Sequence, residues 1–364
     1  MTAVPWLGAR PFSSAALLAV ACGFFLTACA APAPSGPDWE RENPLIELPT
    51  PPLGLPDFPS HEDPPPTPET VRLGRWLFYD SRLSADGTVS CGTCHRPDQG
   101  FSENERVSTG VFNRFGRRKA QTFVNVAWAA GEPLFWDGRA ATLEEQALGP
   151  MSNEVEMGIS GDRAVQILNG IPAYGPYFAQ AFGDPRVTIE RVTRAIADYE
   201  RTRFAGNSAW DRFRVGGDAG ALSATARLGH DLFFGRAGCG QCHLGPNLTD
   251  NRFYNVGVGW DPVTQRFADD GRAIFTRNPA DRGAFKTPTL RDVSRHPPYL
   301  HDGSAATLRD VVVFYNRGGK SNPGLSGKVY PLGLTDPEMD AIVEFMKALD
   351  SDLPFDHQPT KFPR

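Results

Sequence analysis

Cys91-Gly92-Thr93-Cys94-His95 and Cys239-Gly240-Gln241-Cys242-His243 are two copies of one five-residue pattern, and their reading decides the fold. In C-x-x-C-H the two thiols can add to the vinyl groups of a haem, and the adjacent histidine reaches the iron as proximal ligand. Zinc sites and structural disulfides also use C-x-x-C, but neither needs a histidine directly after the second cysteine. The pattern occurs twice, which points to two covalently bound c-type haems. Cys91, Cys94, Cys239 and Cys242 would attach them, and His95 and His243 would hold the irons.

The chain has 364 residues, enough for two or three domains with cores of their own. A net charge of −5 gives no basic footprint for nucleic acid. Of six cysteines, four sit in the pentapeptides, while Cys22 and Cys29 lie in an N-terminal apolar stretch. None is left for a disulfide. Covalent haem attachment implies the oxidising, periplasmic side of a bacterial membrane. Arg10 precedes an apolar run from Ala15 to Leu26, and Leu26-Thr27-Ala28-Cys29 resembles a lipobox. Residues 1–29 therefore read as a signal peptide, with Cys29 as a lipid anchor and the only membrane contact; ordinary cleavage at Ala28-Cys29-Ala30 is the competing reading. The proline-rich 30–67 stretch reads as an extended tether, or as a wrapped arm between Trp39 and Leu48.

An internal repeat organises the remainder. Leu73-Gly74-Arg75-Trp76-Leu77-Phe78-Tyr79 precedes the first pentapeptide, and Leu228-Gly229-His230-Asp231-Leu232-Phe233-Phe234 precedes the second. Both read as a helix leading into a haem-binding turn. Thr67 is expected to cap the first, with Pro68 at its first helical position. Thr142 to Glu145 and Thr335 to Glu338 match capping boxes. Thr188 is expected to cap a helix reaching Arg203, and Thr307 one that stops at Gly318-Gly319. The expected fold is mainly α with long loops and little strand, as two tandem cytochrome c-like domains over 68–210 and 211–364.

Further strings occur in order: Leu77-Phe78-Tyr79-Asp80-Ser81-Arg82-Leu83-Ser84, Phe135-Trp136-Asp137-Gly138-Arg139-Ala140, Glu154-Val155-Glu156-Met157-Gly158, Phe285-Lys286-Thr287-Pro288-Thr289-Leu290-Arg291 and Pro298-Tyr299-Leu300-His301-Asp302-Gly303. Together they resemble the bacterial dihaem cytochrome c peroxidase and MauG family from about residue 68 to 350. The resemblance implies that hydrogen peroxide binds at the His95 haem, with Glu156 as distal acid–base and Gln146 as its partner. The residues alone leave Glu156 open as a solvated loop carboxylate beside Glu154. Gln146 falls in the first turns of a capped helix, and Pro150 is expected to break the chain before Glu156. Many members carry a distal histidine that blocks this haem. The corresponding loop here, Ser108-Thr109-Gly110-Val111-Phe112-Asn113, has none, so an open site is expected.

At the second haem, the position that carries methionine in cytochrome c peroxidases is Tyr315, as in MauG. Leu308, Val311, Val312 and Tyr315 share one helix face, which turns Tyr315 inward. A core tyrosine, Met339 and Met346 are the competing readings. Trp136 matches the family's tryptophan between the haems; Trp128, Trp210 and Trp260 read as core. Nothing beside Cys239 offers an aromatic exit for an oxidising equivalent, since Ala237-Gly238 precede it. The family also places an interdomain calcium, with carbonyls at what are here His296 and Pro298 and an asparagine at what is here Lys119. An ammonium repels a cation, which speaks against calcium and lets Lys119 fill the site itself.

The implied reductant is a small periplasmic donor, a cytochrome c or cupredoxin. The alternative is MauG-like oxidation of a protein or organic substrate through a high-valent dihaem state, and a non-enzymatic two-haem electron carrier is a third reading. A homodimer is compatible with all three.

Overall fold

Thr67 accepts the Thr70 N–H at 3.2 Å and receives a return bond from its own N–H to the Thr70 hydroxyl at 3.0 Å. With Pro68 next, where no N–H is needed, this starts the first helix. The computed structural model describes residues 37–59 and 64–364, so the leader and the Cys29 motif lie outside it. Helices follow in the order α1 Pro68–Tyr79, α2 Cys91–Cys94, α3 Leu143–Ser152, α4 Gly161–Asn169, α5 Gly175–Phe182, α6 Ile189–Arg201, α7 Ala209–Arg214, α8 Ala224–Phe234, α9 Ala273–Thr276, α10 Leu308–Asn316 and α11 Asp336–Lys347. Strands are short: β1 Phe253–Asn255 pairs antiparallel with β4 Ala284–Lys286, and β2 Trp260–Asp261 with β3 Arg266–Phe267. The fold is mainly α, and among the described residues no helix is long and apolar enough to cross a membrane.

The caps at Thr188, Thr307 and Thr335 form as expected, although α6 ends at Arg201 rather than Arg203. The box at Thr142 is half formed, because the Glu145 carboxylate turns to the Ala141 N–H at 2.8 Å. Pro150 does not break the chain. It lies inside α3, which runs on to Ser152 because only one backbone bond is lost and Asn153 N–H still reaches the Gly149 carbonyl at 3.0 Å.

Two apolar clusters form the core, one drawn from Val71 to Ala205 and one from Trp210 to Leu349. Their construction repeats. In α1, a side chain at Gly74 would fall 1.8 Å from the Ala195 carbonyl of α6; in α8, one at Gly229 would fall 1.9 Å from the Ala341 carbonyl of α11. Each helix that leads into a pentapeptide thus crosses the closing helix of its cluster at backbone contact, which only glycine permits.

The tether reading fails for residues 38–58, which are an arm on the body. Trp39 donates to the Tyr177 hydroxyl at 3.0 Å, Asn43 to the Arg72 carbonyl at 2.9 Å, and Leu53 accepts the Asn207 N–H at 2.8 Å. Leu48 packs on the first cluster, so this stretch has apolar side chains to bury despite its prolines. The C-terminal tail also leaves its sequence neighbours. Asp356 pairs with Arg75 and Arg203 at 3.1 and 2.8 Å, and Phe362 packs on Trp76, so the tail belongs to the first cluster although it follows the second.

Asp211 and Arg291 form a doubly hydrogen-bonded pair at 2.5 and 2.9 Å, with side chains 1 and 0 % exposed. Removing one partner leaves an uncompensated buried charge. Asp211→Ala is expected to destabilise the chain by about 3–5 kcal/mol in denaturant unfolding. Midpoints equal to wild type would contradict this.

Candidate functional site

The cysteine pentapeptides open onto two cavities. The first, about 1000 Å³, is lined by Cys91, Cys94, His95, Gln146, Glu156 and Trp136. The second, about 230 Å³, is lined by Cys239, Cys242, His243, Tyr315, Met346 and, again, Trp136. Both histidines are held alike. His95 Nδ1 lies 2.9 Å from the Phe101 carbonyl and His243 Nδ1 2.9 Å from the Leu248 carbonyl. A carbonyl only accepts, so Nδ1 carries the proton and Nε2 keeps a lone pair for a metal. Burial lowers both pKa values and keeps the rings neutral. The four cysteines are free of disulfides. Burial pushes Cys94 and Cys239 up to about 12, so the thiols stay protonated.

Orphaned polar atoms test whether a haem fits. Both ring nitrogens of His296 are buried without a hydrogen-bond partner, and His296 lines the second cavity. Glu200 lines the first, with Oε2 unpartnered and its pKa raised to about 8 by burial. Paired thiols and a histidine lone pair on one cavity suit a covalently held haem, and the unpartnered polar atoms of His296 and Glu200 are available to its polar groups. The residues present fit a c-type haem in each cavity.

Glu156 and Gln146 both line the first cavity. Asn153 donates its amide to Glu156 Oε1 at 2.6 Å, a partner that no local sequence signal marks. Burial raises the Glu156 pKa, opposed by the Asn153 bond and the Arg139 charge. Glu154, two residues earlier, is exposed. The 108–113 loop is fastened to this turn through Val111 N–H and the Glu156 carbonyl at 2.8 Å. A side chain at Gly110 would fall 2.2 Å from the Val155 carbonyl, so nothing larger than glycine passes there. Among the described residues His95 is the one histidine lining this cavity.

In the second cavity, Tyr315 projects from α10 on the face shared with the buried Leu308 and Val312. Its hydroxyl makes no hydrogen bond among the described residues. Burial, with the Cys239 and Cys242 thiols nearby, raises its pKa. Met346 lines the cavity as well, while Met339 is turned to Asn316 at 3.4 Å.

Trp136 lines both cavities. Its indole N–H donates to the Lys119 carbonyl at 2.9 Å, and its carbonyl accepts the Lys286 N–H at 2.8 Å. Lys119 is buried with its ammonium on the main-chain carbonyls of Glu103 and Glu105, an arrangement that does not fit calcium. The expectation of no aromatic near Cys239 is corrected. Tyr330 brings its hydroxyl to 2.9 Å from where a Gly238 side chain would begin, and Tyr254 lines the same cavity with its hydroxyl 2.7 Å from Asp250. Both are too far along the chain for local sequence to reveal.

A family model described as di-haem cytochrome c peroxidase matches residues 68–219. The chain is 39% identical to the cytochrome-c peroxidase IdrP1 of Denitromonas iodatirespirans over 343 residues, 86% of this chain and 90% of that one. It is 38% identical to the methylamine utilization protein MauG of Methylorubrum extorquens, over 79% and 80% of the two chains. Among solved structures, a MauG-like protein associated with microbial copper homeostasis superposes with a TM-score of 0.75 at 29% identity, over 83% of this chain and 95% of that one.

Proposed function

The chain belongs to the di-haem cytochrome c peroxidase and MauG family, and on that premise we propose that it is a periplasmic enzyme that reduces hydrogen peroxide in the cavity of His95. Two cytochrome c-like domains, 68–210 and 211 onward, the latter without the tail that packs on the first, would each carry one haem, through Cys91 and Cys94 and through Cys239 and Cys242. Haem held there would supply electrons for O–O cleavage, and a cytochrome c-like donor would restore them. Every peroxide needs two electrons and two protons to give two waters.

The observation that carries this reading is Glu156, held by Asn153 in the cavity that His95 lines. Its carboxylate takes a proton from one peroxide oxygen and returns it to the departing one, while Gln146 orients the molecule. Among the described residues no second histidine lines this cavity, so none of them would compete with peroxide for a haem held by His95. Trp136, lining both cavities, is suited to pass an electron between them. His243 and Tyr315 would hold the second iron.

A second reading, peroxide-dependent oxidation of a protein or organic substrate, is favoured by the unbonded Tyr315 hydroxyl and by Tyr330, 40 % exposed at the edge of the second cavity. One experiment separates the readings. Oxidised protein is mixed with peroxide and then with reduced cytochrome c. Fast cytochrome oxidation supports the peroxidase, and a persistent change in the haem spectrum with slow cytochrome oxidation supports the second reading. No reaction with peroxide leaves only electron transfer and overturns both.

A further inference from the structure

Lys119 carries a buried charge with no carboxylate in contact. The residue is 4 % exposed, and its ammonium donates to two main-chain carbonyls, those of Glu103 and, at 3.3 Å, Glu105. Its backbone is committed as well. The N–H donates to the His301 carbonyl at 2.9 Å, and the carbonyl accepts the Trp136 indole at 2.9 Å. The same loop reaches across once more: with its amide turned so that the nitrogen faces them, Asn104 donates to the carbonyls of Arg295 and Pro297 at 3.2 and 3.3 Å. One residue therefore ties the 103–105 loop, the 295–301 loop and the tryptophan between the cavities.

Carbonyl oxygens converging on a positive centre are how proteins hold hard cations. An ammonium with three donors can take that place, but it is delivered by the chain and cannot dissociate. A buried charge is tolerated only when it is well hydrogen-bonded, and here carbonyls meet that need. Burial lowers the Lys119 pKa to about 8 against the opposing charges of Glu103 and Glu105, so the amine is mainly protonated at pH 7. His296, the neighbouring ring, is kept neutral by burial and by Lys119, with a pKa of about 4, and adds no second positive charge.

We propose that the Lys119 ammonium is a built-in cation that locks the seam between the two haem-bearing halves and positions Trp136, so that this protein requires no calcium there. The inference rests on family membership, which leads one to expect an ion at this seam, and not on which donor or substrate is used.

The test uses the holoenzyme with both haems. Metal analysis of the wild type is expected to find no calcium beyond trace, and chelator followed by added calcium chloride should leave the electron paramagnetic resonance signals of both haems and the Tm unchanged. Lys119→Met, which keeps the length and removes the charge, is expected to lower the Tm by several degrees and shift those signals. Lys119→Arg should restore the signals in part. Stoichiometric calcium in the wild type, or a chelator-induced change, overturns the proposal. So does a Lys119→Met protein with wild-type signals and Tm. Should that variant not accumulate, the wild-type arm decides alone.

Discussion

Glu156→Gln is expected to slow the reaction with hydrogen peroxide by about 10²–10⁴, the usual worth of a positioned acid–base group. The amide keeps the shape and can still meet Asn153, whose side chain now holds the carboxylate at 2.6 Å, but it cannot take a proton. Haem content and Tm should therefore hold while the stopped-flow rate falls. Glu154→Gln is the control, because that carboxylate is exposed and should leave the rate untouched. The pH profile supplies a second readout. Burial raises the Glu156 pKa, so the proton-accepting form is lost as pH falls through a value above the ordinary carboxylate range. The acid limb of the wild-type rate is expected to reflect that loss, and Glu156→Gln should lack it. An unchanged rate in the variant would remove Glu156 as the acid–base group.

Much of this architecture was legible because its causes are local. The pentapeptides name their own cofactor. Thr67, Thr188, Thr307 and Thr335 start helices through bonds spanning three residues, and Gly74 and Gly229 recur because each leading helix must cross a closing helix at backbone distance. Contacts between distant segments were not legible. Tyr330 stands 92 positions after Gly238 and reaches it only through the packing around the second cavity. Proline content suggested a free tether, with a wrapped arm from Trp39 to Leu48 as the alternative; the side chains of Trp39 and Leu48 dock that arm, and the Leu53 carbonyl extends it. Lys119 shows both sides. Its charge spoke against a metal, but only the folded chain reveals the carbonyls of Glu103 and Glu105 around its ammonium.

Tyr315→Met is expected to raise the reduction potential of the second haem by hundreds of millivolts, a sizeable part of the roughly 0.8 V that axial ligands span. Thioether sulfur is soft and favours ferrous iron, whereas phenolate is a hard anion that favours ferric and higher states. The surroundings of Tyr315 make the case specific. It lines the cavity of Cys239, Cys242 and His243, its hydroxyl has no hydrogen-bond partner among the described residues, and burial alone would keep it a neutral phenol. Only a cation in that cavity could hold the proton off, because a bound metal ion reverses the local preference for the neutral form. A ligand role thus gives the unbonded hydroxyl both its missing partner and its charge. Spectroelectrochemistry reads the outcome, with Tyr315→Phe expected to open the sixth position and Met346→Leu, a change within the apolar cluster, expected to leave the potential in place. A shift produced by Met346→Leu and absent in Tyr315→Met would transfer the ligand role to Met346. The direction of the shift also bears on function: a raised potential should speed electron entry from reduced cytochrome c, so the variant would gain peroxidase turnover at the expense of any stored oxidising equivalent.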